Sequence, residues 1–466
     1  MTHHDPRGMA LSVAGTAAAE AYEAALQDYL HYRGDPLAAV EAALAHDPAM
    51  PMARVLKAYL LLLATEARAM PAAREAVREA EALAPDAQPG ERHHIAAARL
   101  WASGQPENAA RMLETHLLHH PRDLLALSIG HYLRFFLGQA EEQRDIVARA
   151  MPAWDENVPG FGLVLGLHAF GLNETGRYGK AEEAGRRAVD LDAGDNYAIH
   201  AVAHVLESQA RVAEGLAWLA RHQGVWIRDN FAIHTGWHRT LLELEAGDTA
   251  AALATYDAIL RRTDSDLAVD LNDATALLWR LHLAGIDVGG RWEGIAGHWS
   301  AMADGQTWVF NDMHAAMAFA AAGRRAELAA LQSNLGEGLR RESDNARIIR
   351  RVGAEVIAAL DAFGHERYAE AARRLFAVRA RGHELGCSRL QQSVLATTLI
   401  EAALRAGDGD TALAVAAERS ALDPRRASLL ELQGRAAALR GDTRGAEDAR
   451  HRADALRTAY RTGKAA

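Results

Sequence analysis

The sequence predicts an all-α chain built as a solenoid of stacked helical hairpins, on three observations. Apolar residues recur at three- and four-residue steps in runs such as AREAVREAEALAPD and AEEAGRRAVDLDAGD, the period of a helix face. Nothing alternates with period two for long, and β-branched clusters are rare, so no β-sheet is expected. Short Gly/Asp/Arg turns break the helical runs at nearly regular intervals.

Those turns set the architecture. Taking the turn glycine or its equivalent as an anchor gives Gly34, Ala69, Gly104, Gly138, Gly176, Ala210 and Gly247, with gaps of 35, 35, 34, 38, 34 and 37. Gly323, Gly364, Gly407 and Gly441 follow, with gaps of 41, 43 and 34. A period near 34 in a helix–turn–helix chain is the tetratricopeptide signature. The unit from Gly162 to Asp195 shows it best, with Ala169, Gly176, Tyr178, Ala181 and Ala188 where small or aromatic packing residues belong. Ala193 replaces its closing proline, while Pro121 and Pro424 close their own units. First helices then line the concave side of a right-handed superhelix and second helices its outside. Residues 1–466 read as one helical-repeat solenoid. Within it, 1–20 is an N-terminal segment packing at the groove mouth, 264–310 a longer insertion carrying an extra hairpin, and 341–466 the C-terminal repeats.

Composition narrows the function classes. Half of the 466 residues are hydrophobic, enough for a large core. With 51 basic and 61 acidic side chains the net charge is −10 and there is no long Lys/Arg run, which argues against a nucleic-acid partner. The one cysteine, Cys387, excludes a disulfide framework and cysteine-based metal clusters, and fits a reducing, cytoplasmic setting. No apolar run reaches the roughly 18–20 residues that span a bilayer. The N-terminal apolar stretch is rich in small residues and runs straight into an amphipathic helix, so it reads as mature protein.

Histidines carry the functional signal. Of the 22, His200 and His204 lie four apart in HAVAHVLE, with Glu207 three further on, and His234 and His238 lie four apart in HTGWH. That spacing stacks both members of a pair on one helix face, and the repeat register turns His200, His204, Glu207 and His234 towards the groove. Two such pairs on neighbouring inner helices can hold a zinc-like divalent metal or act as general acid and base. The plainer alternative is a hydrogen-bonded polar channel, because HxxxH arises by chance in a histidine-rich chain and lacks the glutamate of HExxH metalloproteases. Further polar residues sit on first helices where Ala or Leu would pack more simply: His131, His168, Trp237, Asp273, Trp279, Arg280, Asn311, Asp312 and His314. Buried, they need partners, and one shared cavity would supply them. By register His168 and His314 fit a core position equally well. His3, His4, His93, His94, His119 and His120 fall at termini or helix ends and read as solvated.

The runs HYLRFFLG, MPAWDENVPGFGLVLGLHAFGLNETGRYGKAEEAG, NYAIHAVAHVLE, NFAIHTGWHRTLLELEAGD, DATALLWRLHLAGIDVG and FNDMHAAMAFAAAGR resemble the tetratricopeptide repeat protein 38 family, from the GMALSV start to about Leu422. HAVAHVLE and HxxWH are the most specific marks. The resemblance implies a cytosolic helical-repeat protein and assigns no reaction. One segment departs from the pattern: the family carries GGSxAQRDV where this chain reads GCSRLQQSV, so Gln392 and Ser393 replace an Arg-Asp pair.

Two functions follow from these residues. One is a binding protein whose His-rich concave pocket takes a small molecule or a peptide. The other is a small-molecule enzyme, hydrolase-like, with the histidines as metal ligands or as acid and base, centred on His200, His204, His234 and His238 with Glu207. Peptide-clamping grooves are lined with Lys, Arg and Asn, whereas this one is lined with His, Glu, Asp and Trp. No P-loop or dinucleotide fingerprint is present, and GIDVGGRWEGIAG lacks the preceding strand that either needs.

Overall fold

A computed structural model describes residues 3–462; residues 1–2 and 463–466, the ends of the expected 1–20 and 341–466 segments, lie outside the described residues. The chain is a succession of antiparallel helical hairpins. First helices are apolar on nearly every side because they are sandwiched. Helix Phe161–Glu174 buries Leu163 to Leu167 and Ala169 to Glu174. Second helices bury a single stripe, as Tyr178–Leu191 does with Ala181, Gly185, Ala188 and Val189.

The turns follow the anchor pattern. Gly104, Gly138, Gly176, Gly247, Gly323, Gly407 and Gly441 take left-handed backbone with φ between 67 and 83°, and Ala210 does so at 53°, ending their helices as αL caps. Two anchors differ. Ala69 has φ −82°, and Gly364 is the last residue of helix Ala354–Gly364; the left-handed positions nearby are Thr65 and Glu366. Gly364 is needed for packing instead, since a Cβ there would stand 2.8 Å from Ala320 Cβ. Gly285 (φ 74°) is a further anchor that ends helix Ala268–Leu283. It splits the long interval between Gly247 and Gly323 into two ordinary repeats, with helix Arg291–Met302 completing the first.

A two-residue antiparallel pairing, His3–His4 with Ala10–Leu11, appears where no strand was expected. It is pinned by Arg7, only 5% exposed, which donates from Nε to Asp5 Oδ2 at 2.9 Å and from Nη1 to Glu23 Oε1 at 2.8 Å. The segment after it is tied down as well. Ser12 N donates to Glu91 Oε1 at 2.9 Å and Ala14 N to Asp47 Oδ2 at 2.7 Å.

The helices form two compact units. The first holds residues up to Val202, with Val225–Phe231 and Glu342–Asn345; the second holds Ala203–Gly224, Ala232–Arg341 and the chain from Ala346 onward. The division falls inside helix Asn196–Ser208.

Each unit closes on itself. In the first, the end of helix Thr16–Leu30 meets the unit's last segments. His31 Nε2 lies 3.1 Å from Asp192 Oδ2, Arg33 donates to Gly194 O at 2.9 Å, and Asn230 N donates to Tyr32 O at 2.8 Å. In the second, Arg426 donates to Glu207 O at 2.9 Å, Arg425 to Gln209 O at 2.7 Å, and Ser428 Oγ to Glu245 Oε2 at 2.6 Å. Tyr460 of the last helix packs, as Leu216 and Trp218 do, against the buried cluster of Val212, Leu219 and Leu242. Each such leucine contributes roughly 1.5–3 kcal/mol by leaving water. No helix among the described residues is long and apolar enough to cross a membrane.

Candidate functional site

The second unit brings three of the sequence-predicted histidines together. His204 comes from helix Asn196–Ser208 and His234 and His238 from helix Ala232–Glu245. Gly236, between the latter two, lets that helix ride close to the next: a Cβ there would be 2.6 Å from Ile259 Cγ2. His204 and His238 have ring centroids 4.2 Å apart, His234 and His238 4.9 Å, and His204 and His234 6.4 Å. Each offers a ring nitrogen within 4.8 Å of the other two.

Carboxylates orient two of these rings. His238 Nδ1 is hydrogen-bonded to Glu207 Oε2 at 2.8 Å, and His234 Nδ1 to Asp273 Oδ2 at 2.8 Å. In the tautomer that donates from Nδ1, Nε2 carries the lone pair, the arrangement in which metal-binding imidazoles are held by a carboxylate. Burial, then the neighbouring His238 and His234, holds His204 well below the usual imidazole range; burial and His234 do the same for His238. The His204 and His238 rings are therefore neutral near pH 7, as ligation requires. Burial also pushes the Glu207 carboxyl up to about 7 against the pull of Arg426 and Arg280. Three imidazoles, two of them backed by carboxylates, fit a borderline divalent ion such as zinc.

His200, one turn before His204, belongs to the first unit. There its ring stacks on Phe170 (5.8 Å, 18°) and meets Phe231 edge-on at 4.8 Å. His131 is also in the first unit, fully buried, with Nε2 3.0 Å from Tyr197 Oη and from Gln143 Nε2; burial brings it down to about 3. His168 is half-buried in that unit, lowered by burial and by Arg144 and Lys180.

The other expected pocket residues lie in the second unit, in two groups. Trp237 stacks on His234 at 5.6 Å and meets His238 edge-on at 4.9 Å, and Arg280 stands over its ring at 5.7 Å. Trp237, Asp273 and Arg280 thus adjoin the three imidazoles. Trp279 turns to the C-terminal repeats, donating from Nε1 to Thr398 Oγ1 at 2.9 Å. Asn311 accepts from Asn272 at 2.8 Å, and Asp312 Oδ1 accepts from Gly305 N at 3.0 Å, which anchors the loop before its helix. His314 is bonded to Phe310 O at 2.9 Å, and burial brings it down to about 4. Gln392 holds Gly386 O and Cys387 O through Nε2, while Ser393 Oγ accepts from Arg280 at 3.1 Å.

A second cluster escaped the sequence reading. His94, expected to be solvated, is 1% exposed. Its Nε2 and that of His116 both donate to Asp123 Oδ2 at 2.9 Å. Asp123 Oδ1 caps helix Leu124–Phe136 by accepting Ala126 N at 2.9 Å. Burial works to raise this carboxyl, but His94 and His116 outweigh it and hold it well below the usual range. His93 stays half-exposed, its Nδ1 3.1 Å from that of His116. One carboxylate thus joins three helices, and the network is closed on itself.

No protein-family model matches the chain. Among solved structures it is similar to a human IFIT1 dimer with m7Gppp-AAAA (TM-score 0.40, 13% identity, 96% of each chain) and to yeast Tom70 (TM-score 0.34, 13% identity, 96% of each chain). It is also similar to the P58(IPK) TPR domain (TM-score 0.21, 12% identity, 80% of this chain and 97% of that one). The architecture rests on the chain's own hairpins and left-handed turns, which are those of tetratricopeptide-type helical repeats.

Proposed function

We propose that the second unit is a divalent-metal site of zinc type, with His204, His234 and His238 as ligands, that takes a small molecule inside a tetratricopeptide-type scaffold. The observation that carries this reading is the pair of carboxylate–imidazole bonds, Glu207 to His238 and Asp273 to His234, each 2.8 Å at Nδ1. Such bonds fix ring orientation and raise ligand basicity. A site held by His204, His234 and His238 alone would leave a coordination position for water or substrate, the pattern of hydrolytic zinc. When bound, the metal would polarise a carbonyl or lower the pKa of a water. The protein's own contribution is to orient the imidazoles through Glu207 and Asp273 and to wall the site with Trp237.

This reading favours a small-molecule enzyme, hydrolase-like, over a peptide clamp, because the polar groups converge inside a unit that closes on itself. Membership of the tetratricopeptide repeat protein 38 family and a cytoplasmic location belong to the same reading, on the quoted motifs and the single cysteine. So does a partner other than nucleic acid, on the net charge of −10.

The test is elemental analysis of tag-free protein, with zinc and cobalt(II) titrations of the apoprotein. About one equivalent of metal is expected, lost in the His204→Ala/His238→Ala variant with the helical circular dichroism unchanged. His200→Ala asks whether the next imidazole along the helix joins the set. Absence of metal from the purified protein, together with no cobalt(II) absorption on titration, would overturn the reading.

A further inference from the structure

Among the described residues, Arg280 is a cation beside the three-histidine cluster whose hydrogen bonds go to neutral acceptors. It lies seven residues, two helical turns, beyond Asp273 on helix Ala268–Leu283, so both point to the same side. Asp273 orients His234, His234 stacks on Trp237, and the guanidinium stands over Trp237. Arg280 donates from Nη1 to Ala276 O at 3.1 Å and from Nη2 to Leu390 O and Ser393 Oγ, each at 3.1 Å. That uses three of the five N–H donors a guanidinium carries, and among the described residues no carboxylate is ion-paired with it. The charged groups it faces at longer range are Glu207, Asp273 and Arg426. Glu207 and Asp273 are already bonded to His238 and His234, and Arg426 has its own partner in Asp423.

Removing a cation from water without a counter-charge is costly. Burial brings Arg280 down to about 10, with Glu207 and Asp273 opposing only in part. The residue is half-buried.

We propose that Arg280 is the recognition residue for an anionic group, a carboxylate, on the small molecule that the histidine site takes. The inference rests on the metal reading above and names its ligand class. A divalent ion and Arg280 bring three positive charges, and Asp273 with Glu207, whose carboxyl burial pushes up to about 7, offsets only part of them, so the site favours an anion, and the planar guanidinium matches a carboxylate. Arg280 also provides a charge-assisted hydrogen bond, the strong kind for a carboxylate.

The experiment is calorimetric titration of the full chain, loaded with cobalt(II), with benzoate and separately with inorganic phosphate. Benzoate is expected to bind the parent and to perturb the cobalt(II) absorption. Arg280→Gln should weaken it at least about tenfold, with Arg280→Lys between the two. A second variant, Ser393→Asp, places a fixed carboxylate at the atom Arg280 now touches and should abolish benzoate binding while leaving Arg280 and the metal in place. Equal benzoate affinity in the parent, R280Q and S393D overturns the proposal, as does benzoate binding to none of them. Arg280-dependent binding of phosphate but not benzoate overturns the carboxylate assignment. Failure of the metal reading is separately visible: with no cobalt(II) uptake but Arg280-dependent benzoate binding, the anion subsite stands and the metal centre falls. If R280Q does not fold, the S393D and R280K arms decide.

Discussion

His238 and Glu207 come from adjacent first helices and share a 2.8 Å bond between Nδ1 and Oε2, with both side chains buried. The carboxylate orients the ring without occupying the nitrogen that ligation needs. Glu207→Gln should therefore lower zinc affinity by about 10–100-fold while leaving the melting temperature nearly unchanged. Competition with a chromogenic chelator reads this directly, and unchanged affinity would show that Glu207 does not act through His238.

Asp195 supplies a pH dependence in the first unit. It caps helix Asn196–Ser208 through Ala198 N at 2.9 Å, and burial pushes its carboxyl up to about 6. A raised folded pKa contributes stability that is complete below the ordinary 3.8 and is lost as pH rises through about 6. Asp195→Asn keeps an acceptor for the cap and carries no charge. The variant should match the parent at low pH and exceed it by roughly 1–3 kcal/mol at pH 8, measured by urea unfolding at both values. A constant difference across that range would contradict the assignment.

Asp123 has the opposite sign. Its carboxyl is held well below 3.8 in the fold, so its contribution is present above that value and fades as pH falls. Asp123→Asn leaves two imidazoles short of a charged acceptor and should cost about 1–3 kcal/mol at neutral pH, with the gap to the parent narrowing in acid. Denaturant midpoints from neutral to acid pH check this.

Gly236 tests how the histidine helix is placed. A Cβ there would meet Ile259 Cγ2 at 2.6 Å, so Gly236→Ala should destabilise by about 1–3 kcal/mol. Ile259→Ala in the same chain should recover part of that loss. A double-mutant cycle with purely additive terms would mean the two helices can move apart freely.

The sequence displayed what is local. Left-handed turns were visible as glycines, and the pairs HAVAHVLE and HTGWH were visible because helical stacking follows from four-residue spacing. Gly364 misled because a small residue also serves close helix packing, as it does against Ala320, and Ala69 because it begins a helix instead of ending one. Gly285 went unused because the interval it divides reads as one long insertion until its turn is seen. The network of His94, His116 and Asp123 draws on three helices with no common spacing, so nothing in the linear pattern marks it. His168 and Trp279 could be placed on inner helices by register, but which neighbour each would meet is a tertiary matter.

In the second unit Arg426 reaches back to Glu207 O across 219 residues. An open repeat array can unravel from either end one hairpin at a time. A unit whose last hairpins hold its first helix has no such free end, and much of its folding must wait for contacts between distant parts of the chain. Trimming the final helix, Thr443–Thr462, should therefore register at Glu207 and the histidine beside it, although that helix contributes no side chain to the site.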